Sequence, residues 1–206
     1  MSVTYESFLK DVSQHQIEVL KEEGLFRQVR FAKPGCSDMQ FDLVTWPGHL
    51  CYTGDMGTYV FARVADMFDF FSRGAPGRIN PDYWGEKVQA ADRDGVLAFD
   101  TVQFEKAVKC ELIQWLRDNA EVTTKDERRE LWDEVMDEVI AGEGLPMHRV
   151  HQFGHYVSEA AGDFYFENLY ERDLQTHTER FLWCCHAIAW GVRQYKAQLG
   201  ERNEQA

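Results

Sequence analysis

Three histidines in the second half of the chain have a spacing that suggests metal binding. His148, His151 and His155 would share one face of a predicted helix over 147–161. Imidazole nitrogens bind zinc well, and a nearby carboxylate could complete the site. However, Gly154 interrupts the helix, and the outer two histidines would be roughly 10 Å apart. Zinc–nitrogen bonds are only about 2 Å long. We therefore expect no metal or other cofactor, with His151 and His155 as the remaining candidates for a metal.

A second possible site contains adjacent thiols and an imidazole at Cys184, Cys185 and His186. A cysteine beside a histidine suggests a nucleophile and its base. Neighbouring residues on a helix point about 100° apart, so adjacency alone does not make a working pair. Buried structural cysteines are the alternative that we favour. The five cysteines are an odd number, which argues against a disulfide framework and for a reducing compartment.

A cleft beside the predicted sheet is another possibility. Asp55 lies in the sequence Gly-Asp-Met-Gly (54–57), where its carboxylate could act chemically or could simply hydrogen-bond the turn. Trp84, Glu86 and Lys87 would line the same cleft, and the indole could stack on a base. These residues would suit an enzyme that acts on a nucleotide or a nucleic-acid intermediate. No phosphate-binding loop, GxGxxG, HExxH, GxSxG or CxxC pattern occurs in the sequence.

The strongest charge pattern is acidic. Residues 118–143 contain ten acidic and three basic residues, and the whole chain has a formal net charge of −13. In a predicted helix over 125–141, four carboxylates share the face opposite the apolar stripe, and Glu138 adjoins them. The predicted partner-binding residues are Asp126, Glu130, Asp133, Asp137 and Glu138. Such a face can imitate the phosphates of nucleic acid and bind a protein that handles nucleic acid. An ordinary solvated helix face is the alternative.

The first half of the chain must supply a sheet. Strands are predicted at 25–33, 39–46, 49–53 and 58–62, and a further short strand at 96–99. Short connections such as Trp-Pro-Gly-His predict antiparallel neighbours. Apolar residues on both sides of the strand at 39–46 suggest that both faces of the sheet are covered. Helices are predicted at 3–23 and 64–73, and a short one starts at Pro81 and runs through Val88.

The second half is predicted to be helical, at 101–118, 125–141, 147–161 and 173–199. Apolar residues recur every three or four positions in each of these segments. The last helix is apolar nearly all round between 181 and 190, which indicates burial at the centre of this half. The fold class is therefore α+β: an N-terminal antiparallel sheet of four to five strands with flanking helices, then a helical half. We expect one domain over 1–206, with possible sub-parts at 1–99 and 100–199.

Composition limits the classes of partner. The negative charge argues against direct binding to nucleic acid or to anionic lipid, and leaves a basic protein as the expected partner. The start of the sequence has no basic segment followed by an apolar run, so no secretory signal is predicted. No apolar stretch approaches the roughly 20 residues of a membrane span. We expect a cytoplasmic protein, and the oligomeric state stays open.

Long segments of the chain resemble a known family. FDLVTWPGHLCYTGDMGTYVFARVADMFDFF (41–71), INPDYWGEKVQAAD (79–92) and FLWCCHAIAWGVRQY (181–195) are similar to accessory proteins carried by bacteriophages and prophages. The resemblance covers roughly 25–95 and 165–197. It implies a setting, the cytoplasm of an infected bacterium, and no activity, cofactor or site residue. Because small accessory phage proteins often disarm host defences, it suggests an inhibitor of a host defence or nucleic-acid-handling protein, such as a CRISPR or restriction component.

Three functions remain as hypotheses at this level. The first is an inhibitor that binds a host defence or nucleic-acid-handling protein through the acidic helix face and catalyses no reaction. The second is the enzyme with a cleft at Asp55, Trp84, Glu86 and Lys87. The third is an oligomeric structural or regulatory phage protein that associates through exposed aromatic side chains.

Overall fold

The computed structural model describes residues 3–204 and divides into two compact units. The first unit comprises residues up to Ala98 and those from Thr176 onward, and the second comprises Phe99–Gln175. The division falls near residue 99, where the sequence suggested a boundary between sub-parts. However, the C-terminal segment belongs with the first unit, so that unit is discontinuous in sequence.

An antiparallel sheet forms the first unit, and this confirms the predicted α+β class. Its six strands follow one another in both sequence and space, in the order β1 to β6. They are β1 (Gln16–Glu23), β2 (Phe26–Ala32), β3 (Phe41–Trp46), β4 (His49–Gly54), β5 (Gly57–Ala62) and β6 (Val88–Ala91). The unit's helices are α1 (Tyr5–Asp11), α2 (Met67–Phe71), α3 (Pro81–Gly85) and α7 (Glu179–Glu204).

The predicted helix over 3–23 is wrong beyond Asp11, because β1 occupies Gln16–Glu23. A two-residue loop of Gly24 and Leu25 joins β1 to β2, and Glu23 pairs with Phe26. Gly24 has a φ of +60°, the conformation that a glycine at the first position of a tight hairpin turn favours. Pairing with β2 overrides the helical preference of the Glu- and Lys-rich sequence.

Strand β6 was also not predicted from the sequence. The helix that begins at Pro81 ends at Gly85, and β6 then pairs with β5 through Phe61 and Val88. The predicted helix over 64–73 shortens to α2, which Asp66 caps by accepting a hydrogen bond from the Phe68 amide at 2.9 Å.

Helix α7 covers one face of the sheet. The sequence predicted that this helix is buried, but assigned it to the wrong half of the chain. A Cβ atom added at Gly191 would lie only 3.0 Å from Leu43 Cδ1 and 3.1 Å from the Phe31 ring. The missing side chain therefore allows the helix backbone to approach the strands closely. Trp183, which is 1% exposed, also packs between α7 and the sheet.

Only this face of the sheet is fully buried. Phe31, Phe41 and Tyr52 lie under α7 with no exposed surface. On the opposite face Val44 and Cys51 are half-buried, so the predicted covering of both faces is not borne out among the described residues. Asp42 is the exception, since it is 7% exposed and bound by the Arg30 guanidinium at 2.9 and 3.0 Å.

The second unit is mainly helical, with one hairpin. It contains α4 (Thr101–Asp118), α5 (Lys125–Glu134), a π-helix at Val135–Ile140, α6 (Pro146–Gln152), β8 (His155–Ser158), β9 (Gly162–Phe164) and a 3₁₀ turn at Leu169–Glu171. Helix α4 has the predicted limits. The predicted helix over 147–161 is wrong after Gln152, where the chain becomes extended and forms the hairpin β8–β9.

Two short strands, β7 (Leu97–Phe99) and β10 (Gln175–His177), pair in a separate sheet. Strand β7 confirms the short strand predicted at 96–99. Helix α7 therefore starts at Glu179 rather than at 173, and Thr178 Oγ1 accepts a hydrogen bond from the Phe181 amide at 3.2 Å at its N-terminus.

Candidate acidic binding face

Helix α5 begins with a capping box formed by Thr124 and Glu127. Thr124 Oγ1 accepts a hydrogen bond from the Glu127 amide at 3.2 Å, and the Glu127 carboxylate accepts one from the Thr124 amide at 2.7 Å. The Glu127 carboxylate accepts hydrogen bonds from the Thr124 amide and from the Thr124 hydroxyl, and these two bonds lower its pKa. On the buried side, Leu131, Val135 and Val139 have no exposed surface. The apolar stripe thus fixes the helix, and its opposite side faces solvent.

All five predicted carboxylates lie on the solvent side and are exposed. We call them the acidic face: Asp126, Glu130, Asp133, Asp137 and Glu138. The first four line a shallow groove of about 360 Å³ together with Arg129 and Glu134. The helical spacing therefore brought together the residues that it predicted. Glu134 was missed, although it is four residues after Glu130 and the same spacing identifies it.

The acidic face extends across a change of helix type. At Val135 the α-helix continues as a π-helix, in which the Ala141 amide donates to the Met136 carbonyl at 2.9 Å. π-Helical turns are rare and often occur at functional sites. Asp137 and Glu138 lie in this segment, so their positions differ from those of a regular α-helix. Sequence periodicity gave no signal for this change.

Few internal partners neutralise the acidic face. Within residues 3–204, Asp133 makes the one ion pair of the five, at 3.7 Å to Arg129, and both side chains are more than 60% exposed. An exposed pair of this kind contributes at most about 1 kcal/mol. Glu134 behaves differently, because its Oε2 is 2.6 Å from His155 Nδ1 and ties α5 to β8.

Charge is concentrated in the unit that carries this face. Phe99–Gln175 contains 18 acidic and eight basic residues, a net charge of −10 out of −13 for the chain. A field of one sign over a small unit attracts oppositely charged partners and accelerates their association. The second unit is therefore the electrostatically active part of the chain.

The three histidines do not share a helical face. His148 and His151 are exposed on α6, whereas His155 lies beyond the helix end, in β8, with a side chain that is 12% exposed. His151 is 3.4 Å from the Tyr170 hydroxyl, and His155 contacts Glu134. No group of three or more metal-binding side chains forms within the described residues.

The hypothetical cleft is divided by the length of a strand. Asp55 precedes β5, and its carboxylate accepts a hydrogen bond from the Met39 amide at 2.7 Å. Met39 has a φ of +56°, so this bond holds a strained turn. Lys87 lies near the other end of β5, where its carbonyl accepts from the Ala62 amide at 3.0 Å. The five steps between Gly57 and Ala62 span about 17 Å.

The other members of the predicted cleft have structural contacts. Trp84 is 6% exposed and packs edge-on against Phe71 with ring centroids 4.9 Å apart. Lys87 bonds Glu86 at 2.8 Å and lies 4.4 Å from the centre of the Tyr83 ring. The structure does not bring these residues together with Asp55, so a site made of all four is wrong.

Cys184, Cys185 and His186 lie inside the first unit. Burial raises the pKa of both thiols well above the ordinary value, so neither is an activated nucleophile. His186 is 5% exposed and packs against Tyr5 and Phe8, with ring centroids 5.6 and 5.8 Å away. The structure thus supports the structural interpretation of this cluster.

His186 should make stability depend on pH. Burial lowers its pKa below the ordinary 6.5, against a smaller opposing effect of Glu6. Below about pH 6.5 the unfolded chain binds the proton more readily, so stability falls as the pH falls. We expect the free energy of unfolding, measured by urea titration, to decrease between about pH 7 and pH 5, by up to roughly 1.4 kcal/mol per pH unit. His186→Phe should remove this part of the dependence, and His49→Phe should retain it. Equal pH profiles for all three proteins would contradict the prediction.

Comparison of the chain with protein-family models, curated proteins and solved structures found no match. The resemblance to phage accessory proteins therefore stays a prediction. Within residues 3–204, every helix is too short or too polar to cross a bilayer.

Proposed function

We propose that this chain is a binding protein that occupies a basic, nucleic-acid-handling protein through the acidic face. The observation that carries the proposal is the row of exposed carboxylates along α5 and the π-helix, four of which line one groove. A row of negative charges on a fixed helix presents to a basic surface what a phosphate backbone presents. Binding would thus compete with nucleic acid and would need no catalytic residue.

The energetics favour such a role for this face. Its carboxylates do not have to give up strong internal partners when they meet lysine or arginine, so the new pairs are not offset by lost ones. The buried stripe of Leu131, Val135 and Val139 holds the helix in place before binding, which reduces the entropy lost on association. In the setting that the resemblance implies, the partner would be a host defence protein, such as a CRISPR or restriction component, in the bacterial cytoplasm.

Charge reversal tests the proposal. Tagged wild-type chain and the variant Glu130→Lys/Asp137→Lys/Glu138→Lys are used to capture proteins from bacterial cells. The affinity of each purified partner is then measured against salt and against double-stranded DNA. We expect the triple variant to bind at least tenfold more weakly, a change of about 1.4 kcal/mol. We also expect wild-type binding to weaken with salt and with competing DNA.

A matched control distinguishes the effect of the acidic face from the effect of net charge. Glu143, Glu159 and Glu171 are exposed residues of the same unit outside the groove. Changing all three to lysine alters the net charge equally and should leave affinity within about twofold. The proposal is wrong if the acidic-face variant binds like wild type, or if both triple variants lose affinity equally.

A further inference from the structure

A separate cavity in the first unit combines aromatic rings with positive charge. It has a volume of about 350 Å³ and lies beside the loop between α2 and α3. Phe70, Tyr83 and Trp84 supply rings to its wall, and Arg73 and Arg78 supply guanidinium groups. Small-molecule sites span roughly 300–1,000 Å³, so this cavity suits a ligand of modest size.

Both guanidinium groups are available to a ligand. Arg73 and Arg78 are exposed, and neither side chain pairs with a carboxylate within the part of the chain that the structure describes. The nearby carboxylates have other partners. Asp69 is 2.6 Å from Lys196, and Asp82 is 3.6 Å from His177. Two unpaired arginines in one cavity of an acidic protein indicate a site for an anion, because the planar guanidinium matches phosphate and carboxylate oxygens.

The aromatic side supplies a surface for a flat ring. Tyr83 is 38% exposed, although Lys87 Nζ lies over its ring at 4.4 Å from the centre and the Phe70 ring centroid lies 5.9 Å away. A base would therefore contact the part of the ring that these two side chains leave exposed. Trp84 closes the inner side and is itself held against Phe71. Every nucleic-acid base has a flat π-face that can stack on an exposed aromatic ring. The cavity thus offers one end to a ring and another to an anionic group.

Contacts within the first unit hold the loop in place without a ligand. Arg193 Nη2 donates to the carbonyls of Gly74, at 2.9 Å, and Ala75. The Tyr5 ring packs so closely against Gly77 that an added Cβ would lie 2.4 Å from it. At the end of the loop, Asn80 caps α3 by accepting from the Tyr83 amide at 3.2 Å. A pre-formed loop of this kind loses little conformational entropy on binding.

We infer that this cavity binds a nucleoside monophosphate, with the phosphate on Arg73 and Arg78 and the base on Tyr83. The chemistry follows from the pairing of two guanidinium groups with an exposed aromatic ring in a space for one nucleotide. The site is independent of the acidic face, since it lies in the other unit and its ligand has the opposite charge. Trp84 contributes packing beneath the site rather than the base-stacking surface predicted from the sequence.

Calorimetric titration of the full chain tests this inference. The probes are the 5′-monophosphates of adenosine, guanosine, cytidine and uridine, with adenosine alone and inorganic phosphate alone as partial ligands. We expect at least one monophosphate to bind with a Kd below about 1 mM, and each partial ligand to bind at least tenfold more weakly. Arg73→Gln/Arg78→Gln should weaken binding at least tenfold. Tyr83→Leu should weaken it severalfold and reduce the preference among bases.

A charge-matched variant supplies the control. Arg63 and Arg93 are exposed residues of the same unit outside the cavity, and Arg63→Gln/Arg93→Gln should bind like wild type. The inference fails if no monophosphate binds, or if Arg73→Gln/Arg78→Gln binds as well as wild type. It also fails if the control double variant loses as much affinity, or if phosphate alone binds as tightly as the nucleotide. Circular dichroism verifies that each variant is folded.

Discussion

Replacing Trp183 with alanine is expected to lower the free energy of unfolding of the first unit by about 3–5 kcal/mol. The indole lies between α1, α7 and the sheet. Its ring centroid is 5.1 Å from that of Phe8 and 5.7 Å from that of Phe41, both edge-to-face. Its Nε1 donates to Asp11 at 2.9 Å. Truncation would open a cavity where three elements meet and would leave the Asp11 carboxylate without this donor.

Urea unfolding followed by circular dichroism measures the effect, and Trp46→Ala is the matched control. Trp46 is half-buried on the outer face of the sheet, where it stacks on His49 at 5.1 Å. The same truncation there should cost about 1 kcal/mol. Trp183→Phe keeps most of the packing and loses the hydrogen bond, so an intermediate loss is expected. Equal losses for the two alanine variants would show that Trp183 does not hold the unit together.

The missed strand β1 shows a limit of predicting secondary structure from local sequence patterns. Its sequence, Gln-Ile-Glu-Val-Leu-Lys-Glu-Glu, consists mainly of good helix formers, and its apolar residues fit a helical face. Ile17 and Val19 also fit a strand, in which every second side chain lies on the same face of the sheet. Pairing with β2 decides between the two, and this long-range contact is not visible in a local window. The turns at Gly48 and Gly57 were easier, because their chemistry is local.

Helix α7 makes a related point about burial. A helix that is apolar on all sides must be covered, so its burial was predictable from sequence alone. Which elements cover it was not predictable, because apolar side chains pack against any apolar surface and do not specify their partner. Gly191 was the one local sign of a close approach, and it indicates proximity without identifying Leu43 or Phe31 as the neighbours.

The two candidate sites also differ in how far the sequence could predict them. Exposure of Glu130 and Asp137 followed from helical periodicity, because the acidic face runs along one continuous helical segment, α5 and the π-helix that follows it. The cavity with Arg73 and Arg78 depends on an irregular loop that α7 and α1 hold in place. Loop positions have no periodicity, so the meeting of those arginines with Tyr83 needed three-dimensional coordinates. Sequence periodicity can therefore group side chains on one element, whereas the meeting of side chains from different elements cannot be read from it.

Replacing Asp66 with asparagine should cost about 2–3 kcal/mol, because this carboxylate compensates a largely buried guanidinium. Arg27 contacts both Asp66 oxygens at 2.8 Å, and the two side chains are 14% and 24% exposed. The guanidinium also lies 5.1 Å from the centre of the Phe68 ring. Asparagine caps a helix about as well as aspartate, so the variant removes the charge and leaves the start of α2 intact.

The pH dependence distinguishes this charge from other effects of the substitution. The hydrogen bonds from Arg27 lower the pKa of Asp66 below its ordinary 3.8, so the pair stabilises the fold above that pH. This contribution is lost as the pH falls through the lowered value, since the unfolded chain takes up the proton first. Stability of Asp66→Asn should therefore fall less steeply than that of wild type below about pH 4. Asp69→Asn, also in α2, breaks an exposed pair with Lys196 of α7 and should cost no more than about 1 kcal/mol. If the two variants unfold at the same urea concentration at neutral pH, the Arg27 pair does not stabilise the first unit.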